Sequence, residues 1–144
     1  MPSVTDPSAS SAQALRDAMC AVRGIDYTVV FARDLPALCR FYGETLGFPL
    51  QRVLGERWFE YRVGSNTLAL TVRGGRFDDP PPPAGALSLQ LAFRVAPAQV
   101  LACARALEAA GIALVEGATD QPWGHRTLFF RDPDGNVLEI YAEI

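Results

Sequence analysis

Four consecutive prolines at residues 80–83 break the chain a little past its midpoint. Such a run holds a stiff, extended conformation and continues neither helix nor sheet. The stretches on either side must therefore each supply their own secondary structure, and they supply the same elements in the same order. Before the break, residues 25–32 (IDYTVVFA) are β-branched, aromatic or aliphatic, the composition of a strand. Asp34 is a good N-cap, Pro36 falls in a first helical turn, and Leu38, Phe41, Tyr42 and Leu46 form an apolar stripe that Gly47 closes. Strand-like runs follow at residues 50–54, 58–63 and 67–73. After the break, residues 87–95 alternate apolar and polar without a fault, as a half-buried strand does. Pro97 opens a second helix and Gly111 closes it, and strands are expected at 112–115, 127–130 and 137–141.

An offset of 63 sets Tyr27 on Gln90, one of 64 sets Gly47 on Gly111, and one of 70 sets Ala69 on Glu139. The drift predicts an insertion in the second unit around residues 120–124. The expected organisation is an N-terminal arm at 1–24 with a possible short helix over 12–22, a first βαβββ module at 25–75, a proline-rich linker at 76–86, and a second βαβββ module at 87–144.

A length of 144 residues suits one compact domain or two halves sharing one core. Thirteen basic against sixteen acidic residues leave a net charge of −3, which lacks the basic footprint of a nucleic-acid binder. No apolar stretch is long enough to span a membrane, and residues 1–17 have neither the basic nor the apolar region of a secretory signal. Cys20, Cys39 and Cys103 show no CxxC spacing and are expected to be reduced thiols, the last two packed inside. A cytoplasmic location is expected, with no nucleic acid and no membrane as partner. No nucleophile elbow, zincin or phosphate-loop motif is present.

Two segments are informative beyond pattern: IDYTVVFARDLPALCRFYGETLGF at 25–48 and WGHRTLFFRDPDGNVLEIYAEI at 123–144. With the repeat, they resemble the vicinal oxygen chelate superfamily, which includes glyoxalase I, bleomycin-resistance proteins and extradiol dioxygenases. The resemblance implies an α+β fold of two βαβββ modules whose curved mixed sheets enclose a cleft, with the helices outside. It also implies a homodimer. In the family's metalloenzymes the ligands come from the first and last strands of each module. Those positions here hold Tyr27, Ala69, Gln90 and Glu139.

Only Glu139 matches the usual carboxylate, and Gln90 is the other residual metal candidate. Divalent transition metals favour imidazole and carboxylate donors, and an alanine donates nothing. The expectation is therefore no cofactor, and a small-molecule binder of the bleomycin-resistance type holding an organic ligand between the modules. Its expected contacts are Tyr27, Phe31, Ala69, Arg73, Gln90, Arg94, Trp123, His125 and Glu139, with Glu139 the one candidate catalytic group. The alternative is a glyoxalase-like lyase or isomerase, or a dioxygenase, with Zn, Ni, Mn or Fe held at an atypical site by Gln90, Glu139 and His125. A third possibility is a regulatory module with a vestigial cleft. Trp58 and Phe59 are further aromatic candidates for stacking. The outward-facing polar residues of an ordinary antiparallel sheet would show the same alternation, so periodicity alone does not separate a site from a solvated face.

Overall fold

The computed structural model describes residue 1 and residues 6–144. Part of the expected arm, residues 2–5, thus lies outside the described residues. Asp6 caps the first helix, α1 (Pro7–Met19), by accepting from the Ser8 backbone N–H at 3.0 Å. The helix therefore starts earlier than its apolar spacing predicts. None of its residues is buried.

The first unit runs β1 (Tyr27–Ala32), α2 (Leu35–Cys39), β2 (Leu50–Leu54), β3 (Trp58–Val63) and β4 (Asn66–Val72). The Asp34 carboxylate accepts from the Ala37 N–H at 3.1 Å and fixes the start of α2. After Cys39 the helix widens into a π-helical stretch, Arg40–Thr45, in which the Leu46 N–H donates to the Phe41 carbonyl. A Cβ on Gly43 would come within 2.8 Å of the Tyr61 ring, so this stretch lies against β3 where only glycine fits. The second unit runs β5 (Gln90–Arg94), α3 (Pro97–Ala109), β6 (Leu114–Asp120), β7 (His125–Arg131) and β8 (Val137–Glu143). Gly47 and Gly111 end the two helices at φ +77° and +80°, the left-handed conformation that a side chain would strain.

Each unit forms one four-stranded mixed sheet, in the order β1-β4-β3-β2 and β5-β8-β7-β6, with the first and last strands parallel. In the first sheet Val29 stands opposite Ala69; in the second, Ala92 stands opposite Glu139. The two registers therefore agree with the sequence offsets.

The expected curved sheets enclosing a cleft require correction. Each sheet is open, with β1 and β2 as edges of one and β5 and β6 as edges of the other, and no ladder joins the two sheets among the described residues. The outer strands do not wrap over a hollow: every residue of β2 is exposed, as are all but one of β6. Alternation in a sequence assigns residues to faces, but the bending of a sheet is set by what packs on those faces.

One hydrophobic core serves both units. Val30, Leu68 and Leu70 from the first sheet join Leu38 and Tyr42 from its helix, and Leu128, Phe130 and Leu138 from the second sheet join Val100 and Leu107 from α3. Phe41 meets Phe130 at 6.4 Å and Phe48 meets Phe93 at 5.6 Å between ring centroids across the seam. The seam also has a polar fastening. Asp132, 4% exposed, accepts from the Tyr42 hydroxyl at 2.7 Å, from the Asp134 and Asn136 backbone N–H groups, and from the Asn136 amide. Burial, reinforced by this carboxylate, pushes the Tyr42 hydroxyl pKa well above the usual tyrosine range. The Asp134 carboxylate accepts from the Arg33 N–H at 2.6 Å. The Asp-Pro-Asp-Gly-Asn segment is thus a clamp between units as well as a hairpin turn.

Candidate functional site

The helices cover one face of each sheet, and Tyr27, Ala69, Gln90 and Glu139 lie on the other. On the first sheet, Tyr27 is 55% exposed, whereas Ala69 is fully buried in the floor. Tyr27 meets Trp58 edge-to-face at 6.5 Å, and the Trp58 indole N–H donates to the Glu60 carboxylate at 2.8 Å. Glu60 stands directly opposite Ala69. A carboxylate thus stands on β3 beside the position that Ala69 holds on β4. Sequence reasoning passed over Glu60, although the alternation of Trp58, Glu60 and Arg62 against Phe59, Tyr61 and Val63 places it on this face. Phe59 is on the opposite, helix-covered face and joins the core, so it is not available for stacking on this side.

Phe31 lies farther along β1, with the Arg73 guanidinium 5.9 Å over its ring and Phe77 against its edge. Together with Asp79 these residues line a shallow recess beside the linker. The Arg33 guanidinium donates to the Pro82 carbonyl and so ties the linker to the first unit.

On the second sheet, the Gln90 amide donates to the Glu139 carboxylate at 3.1 Å. Arg94 pairs with Glu143 at 2.9 Å, so its charge is already matched by a neighbour on the sheet. His125 stacks on Tyr141 with 5.0 Å between centroids. The insertion expected around residues 120–124 is mostly a tight turn at 121–124; β6 continues to Asp120, which pairs with Arg126 through an ion pair at 2.6 Å. His125 is the first residue of β7, opposite Glu143. Trp123 occupies the tight turn just before it and is 65% exposed.

The structure thus divides the predicted residues between the two sheets, with Tyr27, Ala69, Phe31 and Arg73 at the first, Gln90, Arg94, His125 and Glu139 on the second, and Trp123 in the turn before β7. No hydrogen bond, ion pair or ring contact links Tyr27 or Ala69 with Gln90 or Glu139 among the described residues. Nor does any group of three or more His, Cys, Asp or Glu side chains converge as metal ligands would, again among the described residues. The donor set itself does not fit a transition metal. Gln90 and Glu139 provide an amide and one carboxylate, already bonded to each other, and the matching positions on the other sheet hold a phenol and a methyl group. No helix among the described residues is long and apolar enough to cross a membrane.

Comparison with known proteins agrees with this architecture. A glyoxalase/bleomycin resistance protein/dioxygenase from Nocardioides superposes with a TM-score of 0.75 at 20% identity, covering 93% of each chain. A lactoylglutathione lyase from Agrobacterium tumefaciens gives 0.69 at 26% identity, over 84% of this chain and 94% of its own. A virulence protein from Salmonella typhimurium gives 0.66 at 25% identity, over 85% and 98%. Residues 24–140 match the sequence profile described as the Glyoxalase/Bleomycin resistance protein/Dioxygenase superfamily, and the chain belongs to that superfamily.

Proposed function

We propose that the protein binds a small organic molecule at the open sheet faces, without a resident metal ion. The observation that carries this reading is the donor chemistry at Tyr27, Ala69, Gln90 and Glu139. It offers one carboxylate, an amide bonded to it, a phenol and no fourth donor. Such groups suit hydrogen bonding to a polar ligand better than gripping an ion. Trp58 and Tyr27 supply flat apolar surface beside the Glu60 carboxylate, and Tyr141 and His125 supply it on the other sheet. Phe31, Arg73 and Trp123 extend the candidate contacts.

The 26% identity to the Agrobacterium lyase supports a second reading, in which Gln90, Glu139 and His125 would hold a divalent metal that would supply Lewis-acid chemistry for a lyase, isomerase or dioxygenase. One experiment separates the two. Protein purified without chelator is expected to contain far less than one equivalent of Zn, Ni, Mn or Fe by elemental analysis. Stoichiometric metal that Glu139→Ala removes would establish the second reading instead.

The proposal includes a cytoplasmic homodimer. The open sheet faces and the exposed apolar Leu50, Val53 and Leu54 of edge strand β2 support association. Light scattering at micromolar concentration is expected to give twice the 15.6 kDa chain mass. A mass of one chain would refute this part.

A further inference from the structure

A cavity of about 430 Å³, open to solvent along one side where Ala106 and Ala110 are exposed, lies where the two units meet, on the helix side of the sheets. Leu46, Phe48 and Val63 of the first unit form one wall, and Phe93, Phe130 and Ile140 of the second form another. The remaining wall is α3. There Cys103, Ala106 and Ala110 share one stripe, and the two alanines leave room that a larger side chain would fill. The one charged residue at the cavity is Arg94. Its guanidinium is turned to the opposite sheet face, where it pairs with Glu143. Besides Arg94, Thr45 and Cys103 are the polar side chains that line it among the described residues, and burial pushes the Cys103 thiol pKa up.

We propose that this cavity is a second binding site, for a neutral apolar molecule of about fifteen non-hydrogen atoms. Three observations favour this occupant. The volume falls within the range of small-molecule sites. The walls present ring and methyl surface with no charged group turned inward to pair with an ionic ligand, which favours a neutral one. The third observation is position: the walls come from both units, so one molecule would complete a contact that Phe48 and Phe93 begin. β5 separates this site from the outer face. Phe93 points into the cavity, while Gln90, Ala92 and Arg94 point to the other side. The inference does not depend on the function proposed for that face.

The test uses the full chain with the neutral fluorophore N-phenyl-1-naphthylamine. Saturation at one equivalent is expected, with a rise in Tm and slowed alkylation of Cys103, read by mass spectrometry. Ala106→Trp, which fills the cavity, is expected to weaken binding at least tenfold without lowering Tm. Should that variant fail to fold, Val63→Trp fills the same space from the opposite wall and must have the same effect. Glu139→Ala is expected to leave the dissociation constant within twofold. Binding that survives both filling variants, or that Glu139→Ala abolishes, would overturn the assignment. So would a tenfold gain in affinity on deleting residues 1–23, because the exposed Leu15, Met19 and Val22 of the arm would then be the cavity's own occupant.

Discussion

Asp132→Ala is expected to destabilise the protein by about 3–4 kcal/mol. The carboxylate is buried and accepts four hydrogen bonds, two from backbone N–H groups of its own turn, one from the Asn136 amide and one from Tyr42 in the other unit. Alanine removes the acceptor and leaves all four donors in place. The Tyr42 hydroxyl, fully buried, has no water to turn to. Tyr42→Phe is the milder test, because Asp132 keeps its three local donors; a loss of about 1–2 kcal/mol is expected. Urea unfolding checks both. A loss below about 1 kcal/mol for Asp132→Ala would mean that the clamp is replaced by solvent and does not hold the units together.

Phe130→Ala should cost about 3–4 kcal/mol, the usual range for emptying a buried aromatic position. Phe130 is 1% exposed, packs against Phe41 from the other unit and also lines the seam cavity. Its removal enlarges an existing space instead of opening a closed one, so the surroundings have little reason to collapse into it. The same substitution is therefore expected to raise the capacity for a larger apolar probe while Tm falls. Unfolding curves and probe titration on one sample check the two effects together. A loss of stability with no change in probe binding would place the ring's contribution in the core alone.

Much of the architecture was legible in the residues, for physical reasons that differ from element to element. Asp34, Pro36 and Gly47 set the bounds of the helical stretch in the first unit because caps and breakers act within a few residues. The π-helical widening after Cys39 was not legible. It depends on the close approach of Gly43 to Tyr61, which lies on another element. The strand expected over 112–115 starts at Leu114 and continues to Asp120, taking in Glu116 and Gly117. Its pairing with β7, through two register shifts and the Asp120–Arg126 ion pair, draws them into the sheet. The strand expected over 87–95 is trimmed to Gln90–Arg94, since β8 begins opposite Gln90.

The candidate site divides in the same way. Period-two alternation was enough to set Gln90 apart from the apolar face of its strand, because successive strand residues must point to opposite sides, whereas the family resemblance singled out Tyr27, Ala69 and Glu139. Alternation could not identify Glu60 as the carboxylate that stands beside Ala69, since that neighbour is chosen by the pairing of β3 with β4.

The order of elements, their punctuation and the chemistry of the four key positions were determined by the sequence alone, since each follows from local sterics or from residue type. The openness of the sheets, the Tyr42–Asp132 clamp and the apolar space at the seam were decided only by tertiary structure. Each depends on side chains distant in the chain meeting across a packed interface, and the residue pattern within a single element does not encode that distance.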